Sequence, residues 1–183
     1  EDVYDLTVSS VHNFYANDIL VHNCLEILLP NKPFERLDDE TGRIALCTLG
    51  SINWGSFRNP EDMKDACKTL VRSLSNLLNY QDFLSIQSKL SNEEFEPLGI
   101  GVTNLAYWHA KRGLRYGTPE ALAEVKRWME HQAYYLTEAS VELAEEKGPC
   151  KLSHTTSYGK GIFPWEKRVD GTKELTDFTP EVD

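Results

Sequence analysis

Residues 1–23 contain no Lys and no Arg, and the whole chain of 183 residues carries a net charge of -10. A phosphate backbone is held by clustered cations, so this balance argues against a nucleic-acid surface, and the acidity serves solubility instead. The cysteines are few, at 24, 47, 67 and 150, and they form no C-x-x-C pair and no Cys/His cluster with zinc spacing. A structural metal is therefore not expected, and reduced or catalytic thiols fit better than a disulfide framework. No apolar run approaches the roughly 18–20 residues that cross a bilayer, and no basic-then-apolar signal peptide opens the chain. No internal repeat or low-complexity tract is present either. What these absences leave is a globular, cytoplasmic protein with no membrane and no nucleic-acid partner; 40% hydrophobic residues suffice for one domain. The first residue is Glu1 rather than Met, so the chain is expected to be a fragment of a longer open reading frame.

What is present begins with VYDLTVSSVHNFYANDILVHNCLE, residues 3–26, in which two chemistries meet at Asn23 and Cys24. An asparagine amide nitrogen that attacks its own backbone carbonyl closes a five-membered succinimide and breaks the bond to the next residue, a reaction driven mainly by proximity. The departing amine needs a proton, and the adjacent His22 is the candidate general acid. Cys24 supplies a thiol that is only slightly ionised at neutral pH, so a neighbouring base is needed to activate it. His12 and Asp5 are the candidates. Tyr4, Leu6 and Val8 alternate with Val3, Asp5 and Thr7, the period of a half-buried strand. A run from His12 to Ala16 passes through the turn-prone pair Asn17-Asp18 into Ile19-Leu20-Val21, which predicts a β-hairpin carrying His12 and His22.

VYDLTV followed after three residues by HNFYANDILVHNC resembles the C-terminal splicing region of inteins. That resemblance implies that Asn23 cyclises with help from His22, that Cys24 accepts the upstream segment by transesterification, and that His12 and Asp5 support proton transfer and position the nucleophile. Splicing implies no cofactor. It implies as partners an N-terminal intein half and an upstream extein.

Beyond Glu26 the elements are more regular. RIALCTL, residues 43–49, is short, apolar and bounded by glycines, as a buried strand is, with Cys47 near its end. A cysteine so placed is by default a small buried hydrophobe. Asn59 as N-cap, Pro60 at the first helical position and Glu61-Asp62 in the first turn predict a helix with Met63, Ala66, Leu70, Leu74, Leu77 and Leu78 on its apolar face, ending near Tyr80, with Cys67 in or beside the packing. Residues 85–96 are polar and read as loop or frayed helix. Pro97 to Gly101 leads to a short helix through Leu105, Ala106 and Trp108, stopped at Gly113. Thr118-Pro119 opens the longest helix, which runs to about Lys147 before Gly148-Pro149 with Leu122, Val125, Met129, Tyr135 or Leu136, Ala139 and Leu143 as its core stripe. Tyr134 and Tyr135 read as core or interface.

The segments CLEILLPNKPF, GRIALCTLGSINWG, LVRSLSNLLNYQDF, PLGIGVTNLAYWHAKRG and SYGKGIFPWE, in that order, resemble the catalytic barrel of the class I ribonucleotide reductase large subunit, especially the form found in T4-like bacteriophages. The resemblance implies that Cys24 becomes a thiyl radical that takes the 3′ hydrogen, that Glu26 accepts the 3′ hydroxyl proton, and that Cys47 is one of two thiols that reduce the substrate and become a disulfide. It further implies a ribonucleoside diphosphate substrate, a small subunit with a metal/radical cofactor, and a thioredoxin- or glutaredoxin-type reductant, none of them held by this chain alone. The fold expected is α/β: a short hairpin of a Hint/intein fold over 1–23, then a helix-rich segment of the reductase barrel over 24–183. Two departures stand out. His22 occupies the position two before the radical cysteine where the family has asparagine, as expected if residues before Cys24 are intein. The allosteric nucleotide site, the phosphate-binding loop, the tyrosine pair of the radical path and the C-terminal redox cysteines are not in the chain. Two other readings compete: a self-cleaving Hint-type module that releases its C-terminal segment without ligation, and a helical interaction domain with accidental motifs.

Overall fold

The computed structural model describes residues 29–162 throughout and, for backbone only, two strands upstream. Those strands, β1 (Asn13–Ala16) and β2 (Ile19–His22), pair antiparallel with Ala16 opposite Ile19 and Asn13 opposite His22. A hairpin is therefore present around the turn-prone pair Asn17-Asp18 and includes His22, while His12 lies outside the described residues. The strand expected over residues 3–8 lies outside the described residues.

The main body is built on β3 (Thr48–Asn53) and β4 (Leu98–Thr103), which pair in parallel from Thr48 opposite Leu98 to Asn53 opposite Thr103. Parallel strands need a crossover, and here it consists of α1 (Lys64–Tyr80) and α2 (Ile86–Phe95). After β4 come α3 (Leu105–Lys111) and the long α4 (Pro119–Lys147). Among the described residues no helix is long and apolar enough to cross a membrane.

The start of α1 follows its sequence closely. Pro60–Met63 forms a single 3-10 turn behind Asn59, whose backbone amide is held by the Asp62 carboxylate at 3.0 Å, and the α-helix continues to Tyr80. Met63, Cys67, Val71, Leu74 and Leu78 are buried along one face. Cys67 is pure packing: burial pushes its thiol up to about 11, out of the range in which it reacts. Thr118 caps α4 by accepting the Ala121 amide at 3.3 Å. Of the core stripe expected on α4, Ala139 is buried and Val125, Tyr135 and Leu136 pack against the core, whereas Leu122 and Met129 are exposed and Ala121, Trp128, His131 and Gln132 are buried in addition. α1 and α4 run side by side in the same direction, joined by Lys64–Glu138 at 2.9 Å, Lys68–Glu142 and Arg72–Glu146 at 2.5 Å, which repeat every fourth residue on both helices. These pairs fix register more than they stabilise, since each is solvent-screened.

Three elements were placed differently by the sequence. The strand expected over 43–49 begins instead at Thr48, so Cys47 immediately precedes it and Gly50 lies inside it. Residues 98–103 are a strand, and residues 85–96 hold a true helix, capped by Ser85 accepting the Ser88 amide at 3.2 Å.

At the centre sit Trp54, Trp108 and Trp128, all fully buried, with ring centroids 5.2–5.3 Å apart in tilted and edge-on arrangements. The indole of Trp54 donates to Gln132 Oε1 at 2.6 Å, and Gln132 Nε2 donates to the Gly101 carbonyl at 3.3 Å, which ties α4 to β4. The Arg112 guanidinium lies over Trp108 and Trp128, 4.7 and 4.5 Å from their centroids.

Candidate functional site

The two faces of the β3/β4 pair differ in kind. Ile52 is buried against the helices beside the partly buried Thr48, Gly50, Leu98, Ile100 and Val102; a methyl group added at Gly50 would meet Leu70 and Leu74 at 3.0 and 3.1 Å, so α1 sits directly on the strand. On the other face Leu49, Ser51 and Asn53 alternate with these and are exposed, opposite Gly99, Gly101 and Thr103 in register. This face carries a groove of about 580 Å³ lined by Leu49, Ser51, Gly99 and Gly101 together with backbone of their neighbours. Glycine at two alternate positions of one strand marks a place where another group comes close to the backbone.

Cys47 stands at the head of this face. It is partly buried, its thiol faces the Thr48 carbonyl at 3.9 Å, and a methyl group placed on Gly99 would lie 3.0 Å from its sulfur. The thiol thus lies beside Gly99, one of the residues that line the groove, whereas Cys67 is buried in the core, and the default reading of Cys47 as a buried core residue does not describe it.

The segment that delivers Cys47, residues 29–46, has little regular structure and is held by side chains. Lys32 and Arg43 form an isolated antiparallel bridge. The Arg43 guanidinium makes a two-pronged pair with Glu94 at 2.8 and 2.6 Å and donates to the carbonyls of Glu40 and Gly42 at 2.7 and 2.6 Å. Gln87 of α2 donates to the carbonyls of Leu37 and Asp39 at 3.1 and 2.8 Å. Sequence reading missed both anchors, because α2 buries polar side chains (Gln87, Ser88, Ser91, Asn92) and so shows no hydrophobic period. Arg43 beside it holds the Glu94 carboxyl below the usual carboxylate range. A carboxyl depressed in the folded state contributes stability that is complete above its unfolded pKa and is lost as pH falls through the folded one. Arg43→Met is therefore expected to remove about 1.5 kcal/mol of local stability at neutral pH and to speed amide exchange over residues 36–46. In the parent protein the same segment loosens below the ordinary carboxylate range. Hydrogen exchange at pH 7 and at about pH 2.5, well below the ordinary carboxylate range, checks both once intrinsic rates are divided out; equal exchange in variant and parent at pH 7 would remove the anchor.

At the ends of the strands, Asn104, with φ 63°, donates through its side-chain amide to Asn53 Oδ1 at 3.1 Å, which joins the bends that follow β4 and β3. Among the described residues no group of His, Cys, Asp and Glu is arranged to hold a metal ion.

Of the residues singled out by sequence, Cys47 is on the open face and His22 is at the end of β2. Asp5, His12, Asn23, Cys24 and Glu26 lie outside the described residues, so the structure neither gathers nor separates them.

A family model described as ribonucleotide reductase, barrel domain, matches residues 4–180. The chain belongs to this family. The alpha subunit of ribonucleoside-diphosphate reductase from Haemophilus influenzae is 45% identical over 153 residues, which are 84% of this chain and 20% of that protein. The corresponding subunit from Buchnera aphidicola of Schizaphis graminum is 42% identical over 150 residues, 80% of this chain. That of Enterobacteria phage T4 is 31% identical over 152 residues, again 80% of this chain. The chain thus spans about a fifth of the length of these relatives. The Haemophilus sequence is more similar than the phage one, so identity does not single out the phage form. The family match also begins upstream of Cys24, so the division of the chain at Asn23 rests on the splicing motif alone.

Proposed function

We propose that the chain is a precursor segment of a ribonucleoside-diphosphate reductase large subunit whose residues 1–23 are the C-terminal end of an intein. The reductase part of this reading is supported by family membership and by the partly buried Cys47 lying next to Gly99, which lines the groove on the open face of the sheet. There Cys47 and a second thiol from elsewhere in the subunit deliver two electrons and two protons to the sugar, the 2′ hydroxyl leaves as water, and the two sulfurs join as a disulfide. Cys24, as a thiyl radical, takes the 3′ hydrogen and later returns it, and Glu26 accepts the 3′ hydroxyl proton. The substrate is a ribonucleoside diphosphate. A small subunit supplies the radical from its own metal cofactor, and a thioredoxin- or glutaredoxin-type protein reopens the disulfide, in the cytoplasm of a bacterium or a phage-infected host.

The splicing part is supported by the motif VYDLTV and HNFYANDILVHNC, and by the hairpin that places His22 at a strand end one residue before Asn23. In this reading the Cys24 thiolate attacks the activated carbonyl at the upstream junction and takes over the upstream extein as a thioester. Asn23 then cyclises, the bond to Cys24 breaks, and the liberated Cys24 amine captures the acyl group to leave a peptide bond. One residue therefore serves two reactions. The reductase stays silent until the intein has gone, because the insertion separates Cys24 from the upstream half of its own active site.

The test is an intact-mass time course of the chain with and without a matching N-terminal intein half fused to its upstream extein. A ligated product, with release of the 1–23 peptide, is expected only in the mixture. Cleavage after Asn23 with no ligation favours the self-releasing Hint-type module, and an unchanged mass overturns both.

A further inference from the structure

Resting on the reading of Cys47 as a redox thiol, we infer that Gly99 is a positioning residue for it: the missing side chain of Gly99 is what seats the Cys47 sulfur against β4. Gly99 pairs with Leu49 across the parallel ladder, and its Cα hydrogen points to the open face, the face that also carries Cys47 two residues before Leu49. A Cβ at Gly99 would come within 2.6 Å of Leu49 Cδ2, the end of an exposed side chain that can swing away, and 3.0 Å of Cys47 Sγ, a contact tight enough that the sulfur must give by a few tenths of an ångström. Gly99 needs no glycine for its backbone, since it is not among the residues with positive φ. Its requirement is space alone. Gly101, two residues on and on the same face, is the internal control: a Cβ there meets nothing within 4 Å. The two glycines therefore look alike in sequence and differ in role.

The consequence concerns bond formation. A disulfide forms only when the two sulfurs approach within narrow limits of distance and dihedral angle, so a thiol pushed off its seat loses rate in the step that oxidises it. A methyl at position 99 intrudes on that seat and displaces the sulfur away from β4. Two effects follow together: turnover falls, and the thiol becomes more open to a small alkylating agent.

The experiment uses the joined full-length large subunit with its small subunit and a dithiol reductant. It measures kcat and KM, and the rate at which iodoacetamide labels the peptide containing Cys47. Gly99→Ala is expected to lower kcat about tenfold or more with KM little changed, and to speed labelling of Cys47 several-fold. Gly101→Ala adds the same methyl to the groove without approaching the sulfur, so it serves as the control for labelling, which is expected to stay at the parent rate. If Gly99→Ala does not fold, Gly99→Ala with Leu49→Ala removes the closest clash and leaves the approach to sulfur, so it should fold and, measured against Leu49→Ala alone, keep both the lower kcat and the faster labelling. Parent-like labelling in either Gly99 variant, or a fall in turnover without altered labelling, overturns the inference. Cys47→Ser separates the two levels: retained turnover there overturns the reading of Cys47 itself, whereas lost turnover with a silent Gly99→Ala overturns only the role of Gly99.

Discussion

Asn23→Ala is expected to abolish cleavage of the bond between residues 23 and 24, so that no 1–23 peptide is released and any upstream segment gained stays on Cys24 as a thioester, through a time course in which the parent is fully processed. Alanine has no nitrogen to attack the backbone carbonyl, and no external amine replaces it, because a side chain already in place acts at an effective concentration of about 10⁵ M or more. The loss should therefore exceed ~10³-fold, the limit being the sensitivity of the spectrum. His22→Ala removes only a proton donor and should slow the same step by about 10²-fold, leaving a slow reaction that still ends in succinimide. Cys24→Ala acts on a different bond. It deletes the acceptor of the upstream extein, so ligated product disappears while cleavage after Asn23 persists. That contrast decides between splicing and simple release: a release module yields the same products with or without Cys24→Ala, whereas a splicing element changes from a joined product to two separate ones. If Asn23→Ala still releases a 1–23 peptide, the bond is broken by something other than this side chain.

The helices that announce themselves in the sequence are those whose ends carry local chemistry. Asn59-Pro60 and Thr118-Pro119 sit where the structure starts α1 and α4, because a cap and a fixed proline φ act within one turn and need no tertiary context. The strands were less legible. RIALCTL is the more apolar stretch, yet the ladder starts at Thr48, because a parallel pair is set by its partner, and that partner, LGIGVT, contains two glycines and no strong alternation. Glycine was read as punctuation at both strands, whereas Gly50 admits α1 and Gly99 admits Leu49 and Cys47. α2 was missed for the opposite reason. Its buried side chains are Gln87, Ser88, Ser91 and Asn92, and polar groups buried for anchoring leave no hydrophobic period to read. Of the candidate site, Cys47 was singled out by family resemblance, and the open face beside it became visible only from the register of β3 on β4.

Trp128→Ala is expected to destabilise the fold more than any other single truncation among the described residues, by about 3–5 kcal/mol. Trp54, Trp108 and Trp128 come from three different elements, after β3, in α3 and in α4, and each ring touches the other two. Removing Trp128 opens a cavity at the one point where these elements meet, and the remaining rings are held by neighbours that cannot collapse into it. It also takes away the surface on which Arg112 rests and the indole that donates to Glu124 at 3.0 Å. Domains are stable by only about 5–15 kcal/mol, so such a loss is a large part of the whole. Trp54→Phe tests a narrower point. It leaves a smaller aromatic ring and deletes the donor, so buried Gln132 Oε1 loses its partner at a cost of about 1–3 kcal/mol, to which the space left by the shorter ring adds. Leu122→Ala is the control, for Leu122 lies on the same helix but is 61% exposed and should change stability by less than about 0.5 kcal/mol. Urea unfolding followed by far-ultraviolet circular dichroism ranks the three. If Leu122→Ala proves as damaging as Trp128→Ala, the apolar stripe read from sequence is the true core of α4, and the tryptophan cluster is not what joins its helices to the sheet.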